Sequence, residues 1–168
     1  MDQSYIAQPE LPDPSSAPAL FEGLLTRRVV AHVIDLFIMG VMIMAFSIIG
    51  LIGGLVTFGL AWLALVVVVP ATVVLYYAAT LGSARRATIG MQMTDIVLTP
   101  TRGQPLDGPM ALVHAGVFWI TIWISLPISL VFVLFTPRRQ MIHDLIVGTL
   151  MVRRSPMERH WRGNSQVY

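Results

Sequence analysis

Three apolar runs dominate this chain, Val29–Gly50, Leu55–Ala79 and Leu112–Phe135, and Asp35 is the only Asp, Glu, Lys or Arg within them. At about 1.5 Å per residue, each run as a helix reaches about 33 Å or more, enough to cross a hydrocarbon core of about 30 Å. Composition agrees, with 55% of the 168 residues hydrophobic and only 12% charged. A soluble domain carries roughly twice that share of charge. The expected architecture is an all-α integral membrane protein. Two clear transmembrane helices precede a third membrane segment broken at Pro127.

The segments between the runs have their own signals. Residues 1–20 are polar, acidic and rich in Pro and Ser, which predicts a disordered tail, and residues 155–168 read the same way. The membrane domain then covers residues 21–154. The uncharged stretch Leu51–Gly54 reads as the loop between the first two spans. Its glycines, with Gly50, match small-xxx-small spacing, but at a turn they read as loop flexibility. Pro70 is expected to kink the second span, and Tyr76 and Tyr77 near its end look like interfacial anchors. In the polar connection 80–108, Ile89, Met91 and Met93 alternate with Gly90, Gln92 and Thr94, the period of a strand. We therefore expect Ile89–Leu98 to pair with Gly148–Val152 in a short two-stranded sheet at the cytoplasmic surface. Thr99-Pro-Thr-Arg-Gly103 supplies turn chemistry, and Asp107 is a candidate N-cap for the third membrane helix.

All eleven basic residues are Arg, and they lie outside the three runs. A single crossing by Leu112–Phe135 would divide them almost evenly between the two sides. A return at Pro127 would place every Arg on one side, as the positive-inside rule favours. Length favours the crossing and charge the return, and a re-entrant hairpin packed against the other helices, with both termini cytoplasmic, is the expectation. The Arg-rich segments point to anionic lipid headgroups as a partner, with Arg138 and Arg139 anchoring there, and not to nucleic acid. The chain has no cysteine, which excludes disulfides, thiolate chemistry and cysteine-ligated metal.

Asp35 needs an explanation, because a carboxylate at the centre of a span costs roughly 2.5–3.5 kcal/mol on insertion scales. It must face protein or water. Arg28, Ala31 and Asp35 share one helix face, and His32 sits on its edge. Arg28 and Asp35 stand about 10 Å apart along the axis, too far for relaxed pairing, so each is expected to meet a partner from another segment. Ala31 between them leaves room for that segment, and the region around His143 and Asp144 is the candidate. One reading makes Asp35, with His32, a proton or cation site in a carrier. The other makes Arg28 and Asp35 fasteners that hold the first helix to the rest of the domain.

Three patterns together carry a resemblance. Arg28-x-x-Ala31-x-x-x-Asp35 opens the first span, Thr88-Ile-Gly90 follows the second, and His143-Asp-Leu-Ile-Val-Gly-Thr149 follows the third. In order and spacing the chain resembles the RDD family of small membrane proteins, over roughly residues 21–154. The resemblance implies that Arg28, Asp35 and Asp144 are the signature charges, with His32, His143, Thr88, Gly90, Gly148 and Thr149 as auxiliaries. It also implies a transport role for a small ion or solute. Met91 departs from the family pattern, standing where a Lys is usual.

Other chemistry finds little support. Adjacent residues on a helix point about 100° apart, and no third ligand stands near His143 and Asp144 in sequence, so no metal site or cofactor is expected. His114 reads as a satisfied interfacial histidine, and Met39, Met42 and Met44 as packing. No Walker loop, zinc-binding helix motif or serine elbow occurs, so no enzyme is expected. The expected protein is a multi-pass component of a bacterial inner membrane. It is either a transport component or a non-catalytic accessory or scaffold, and its spans are too few to enclose a pathway alone. A homo-oligomer or a partner membrane protein follows from that.

Overall fold

A computed structural model of the chain describes residues 13–83, 85–101, 108–136 and 138–164. Helix α1 (Leu24–Val56) and helix α2 (Leu65–Leu81) form an antiparallel hairpin joined by a turn and a 3₁₀ segment, Leu60–Ala64. A one-turn helix α3 (Ile89–Met93) and strand β1 (Ile96–Pro100) follow, then a long helix α4 (Gly108–Phe135). A short helix α5 (Ile142–Val147), strand β2 (Thr149–Arg153) and helix α6 (Arg154–Asn164) complete the chain. The spans that begin at Pro18 and at Leu60, carried by α1 and α2, are long and apolar enough to cross a membrane.

The hairpin turn lies beyond the expected loop. Leu51–Gly54 is still helical, and the chain reverses at Phe58 and Gly59, both at positive φ. Gly50 and Gly54 are therefore packing positions on a helix, not a flexible loop. Trp62 lies directly on Gly54, where a Cβ would collide with the indole, and its Nε1–H donates to the Leu51 carbonyl at 3.2 Å. Helical structure runs through Pro70 in α2. It also runs from Gly108 to Phe135 without interruption, so the third apolar run is one helix and is not broken at Pro127.

Both ends of α4 meet the same strand. Near its start, His114 Nδ1 lies 3.1 Å from the Thr149 hydroxyl, and just past its end the Gln140 amide donates to the Thr149 carbonyl at 2.8 Å. Between them the chain turns tightly, the Thr136 hydroxyl donating to the Gln140 carbonyl at 3.0 Å.

The two strands pair antiparallel in one small sheet, from Ile96 opposite Arg153 to Pro100 opposite Thr149. Ile96, Leu98, Leu150 and Val152 are buried with Leu20, Phe21, Leu24 and Leu81 in one core beside the start of α1. The expected pairing of this region with Gly148–Val152 holds for its second half only. Ile89–Met93 is helical, because the Thr88 side chain accepts the Met91 N–H and caps the turn. The tails also differ from expectation where they are described. Residues 13–20 hold a turn around Asp13 and a 3₁₀ helix, Pro18–Leu20, and 154–164 form α6. Asp107 and Arg102 lie outside the described residues.

Candidate functional site

The buried residues in the first half of α1 occupy a single stripe. Leu24, Arg28, Ala31, Asp35 and Met39 are buried at three- and four-residue spacing, while Val33, Phe37, Val41 and Met44 on other faces are exposed. The stripe faces two charged clusters, and residues of both line one cavity.

The first cluster surrounds Asp35. Its Oδ1 accepts the Tyr76 hydroxyl proton from α2 and the Gly90 N–H at 2.8 Å from α3. Its Oδ2 accepts the Thr88 hydroxyl proton at 2.6 Å. Thr88 thereby uses both faces of its hydroxyl, donating to Asp35 and accepting from Met91 N–H at 3.1 Å. Gly90 is required by close approach: a Cβ there would strike the Ala31 carbonyl and lie 2.8 Å from Asp35 Oδ1. The sequence pattern Ala31-x-x-x-Asp35 with Thr88-x-Gly90 is therefore one contact between α1 and α3. Tyr76 and Tyr77, read from sequence as interfacial anchors, are buried instead. Only the fold could show Tyr76 as a partner of Asp35, since a tyrosine near a span end looks the same in either role.

The second cluster surrounds Asp144. Arg28 Nη1 donates to Asp144 Oδ2 at 2.7 Å, across 116 positions of sequence, with both side chains buried. The same oxygen accepts the Met141 N–H at 3.2 Å, tying the carboxylate to the start of α5. Burial alone would raise the Asp144 carboxyl, yet Arg28 and then the neighbouring histidines hold it below its ordinary value. Burial lowers the His143 imidazole in spite of Asp144, which favours the neutral ring. Gly148 at φ 74° ends α5, its N–H donating to the Asp144 carbonyl at 3.0 Å. Thr149 then opens β2 and reaches His114 on α4. The late motif thus supplies an ion pair, a left-handed cap and a contact to the third apolar helix.

A cavity of about 300 Å³ lies between the clusters, lined by Arg28, His32, Asp35, His114, Phe118 and His143 with apolar neighbours. His32 meets the rings of Phe118 and Trp119 edge-on, at 5.1 and 6.2 Å between centroids. Arg28 Nε and Nη2, His143 Nδ1 and Asp144 Oδ1 are buried without a hydrogen-bond partner among the described residues. Of the sequence-derived candidates, the structure brings Asp35 together with Thr88 and Gly90, and Arg28 with Asp144 and His143. The role of His114 and the bond from Gln140 were not legible in sequence, because both depend on α4 and β2 meeting.

The chain carries two apolar helices long enough to cross a membrane, with a charged network buried beside them. The family model described as RDD family matches residues 23–148, and the chain belongs to that family. No curated protein and no solved structure matches the sequence.

Proposed function

We propose that this protein is a non-catalytic, multi-pass component of a bacterial inner membrane. Arg28, Asp35 and Asp144 fasten a cytoplasmic cap (α3, the sheet and α5) onto the membrane helices. The observation that carries this reading is the engagement of Asp35 by three donors. Three donors from two other parts of the chain occupy both its oxygens, and the residue is buried. A carboxylate that exchanges a proton or cation needs lone pairs open to its cargo, and three of the four here are engaged. Such a cap is a surface on which a partner membrane protein or a second copy can dock, which makes the protein an accessory or scaffold.

The topology belongs to the same reading. As a straight rod, α4 would set Phe135 about 30 Å from His114. The links from Thr136 through Gln140 and Thr149 to His114 cover that distance only if stretched into one line. Because α4 is uninterrupted, its end comes back toward the cap by bending within the helix, and both ends on one side place all eleven Arg beside anionic headgroups on the cytoplasmic face.

A second reading, a transport component for a small ion or solute, is favoured by the cavity beside Asp35 and its unpartnered polar atoms. Reconstitution separates the two. Purified protein in liposomes under a pH or Na⁺ gradient should show no flux above empty vesicles. Gradient-driven flux that disappears in Asp35→Asn while the protein accumulates normally would overturn the scaffold reading.

A further inference from the structure

Three buried side chains from two helices converge where none is adjacent to all the others in sequence. His114 comes from α4, and His143 and Asp144 from α5; one donor atom from each lies within 4.8 Å of the other two. All three residues are at most 3% exposed. From these residues we infer a divalent-cation site, with His114, His143 and Asp144 as ligands to one zinc-like ion.

The geometry of the Asp144 carboxylate is the first argument. His143 Nε2 lies 3.4 Å from Asp144 Oδ1, yet that oxygen accepts no hydrogen bond and is fully buried. A buried, unpartnered carboxylate oxygen is costly to leave unsatisfied, so it calls for a partner. Two ligand atoms about 2.1 Å from a tetrahedral ion stand about 3.4 Å apart, which is the spacing found. The contact is poor as a hydrogen bond and good as two corners of a coordination shell.

The surroundings are the second argument. Metal-bound imidazoles commonly have their other ring nitrogen held by a hydrogen bond, and ligating carboxylates are held likewise. His114 Nδ1 is engaged by the Thr149 hydroxyl at 3.1 Å, which turns Nε2 toward ligation. The second oxygen of Asp144 is held by Arg28 at 2.7 Å and by Met141 N–H. His114 and His143 also line the cavity, so a fourth ligand, water or a small anion, has room.

Charge decides the sign of the guest. Arg28 and Asp35 line this cavity, and Asp144, paired with Arg28, stands behind the lining, so two carboxylates are set against one guanidinium. A cation reduces the imbalance and an added anion enlarges it. Two imidazole nitrogens and one carboxylate oxygen suit Zn²⁺ or Co²⁺ better than Mg²⁺ or Ca²⁺, which take oxygen ligands. The ion would join α4 to α5 beside the signature ion pair. This inference stands apart from the scaffold reading and survives its failure.

Cobalt is the probe. Purified full-length protein in detergent, its affinity tag removed and stripped with a chelator, is titrated with Co²⁺ alone. The expected result is one equivalent bound with the intense visible absorption of a four-coordinate site, displaced by Zn²⁺. His114→Gln and His143→Gln should each weaken Co²⁺ binding at least tenfold, and Thr149→Val should weaken it by less. Circular dichroism and a monodisperse elution profile check that each variant folds. X-ray absorption at the zinc edge of zinc-loaded wild-type protein should give only nitrogen and oxygen neighbours, near 2.0–2.2 Å. That measurement tests the site even where a variant fails to fold. No stoichiometric binding, a weak six-coordinate spectrum, or undiminished binding in both histidine variants overturns the inference.

Discussion

Asp35 is where the energetics concentrate, because one carboxylate collects a hydroxyl from α2 and a hydroxyl and a backbone N–H from the α3 turn. Asparagine keeps the shape but turns one acceptor into a donor, which would face donors already in place. Asp35→Asn should therefore lose about 1–3 kcal/mol of stability, and activity should fall only as far as protein abundance falls. Immunoblots of membrane fractions against phenotype decide this; full abundance with lost function would shift the role of Asp35 from fastening to carrying. Gly90 offers a cleaner probe, since its Cβ would strike backbone that cannot yield. Gly90→Ala should cost roughly 1–3 kcal/mol in a detergent melt, because α3 must move off α1. Gly116→Ala, where nothing lies within 4 Å, is the control and should change little or stabilise slightly.

At the scale of elements, α5 is held to α1 by the Arg28–Asp144 pair and to α4 through Thr149. Removing one partner strands the other, so Arg28→Ala should destabilise by about 3–5 kcal/mol. The same pair sets an acid limit. The folded Asp144 carboxyl lies below its ordinary value, so the stability it contributes is complete above about pH 4 and is lost as pH falls through the folded value. Thermal melts taken downward from pH 5 should show this loss in the wild type. Asp144→Asn, already weakened at pH 7, should show a flatter acid profile; parallel profiles would mean that other carboxylates govern the limit. The sheet was legible in part: Ile96–Leu98 and the strand after Gly148 could be read, whereas Ile89–Met93 could not. An alternating pattern over five residues is compatible with strand or helix, and the Thr88 cap and the Asp35 contact favour the helix.

For the whole molecule, the testable quantity is sidedness. Reporter fusions after Arg28, Arg102 and Arg162 should all report cytoplasm, because the cap that begins after α2 is bonded to both the start of α1 and the segment beyond α4. A periplasmic signal at the C-terminus would require α4 to end on the far side, against the links through Thr149. Large apolar side chains such as Phe37, Leu55 and Val66 are more than 70% exposed, the arrangement expected of faces that meet lipid or another membrane protein.

The two long apolar helices, the positions of the buried charges and the family were all legible in the sequence alone. Each depends on local composition and spacing: an apolar run transfers to lipid whatever it packs against, and residues four apart share a helix face wherever the helix lies. The partners of those charges were not legible. Arg28 meets Asp144 across 116 positions, Tyr76 turns inward to Asp35, and His114 completes a cluster with His143 and Asp144. Such pairings depend on how the chain returns after each helix, and no local pattern encodes that path. A buried charge announces from sequence that it must be satisfied; which group satisfies it is decided only when the elements pack.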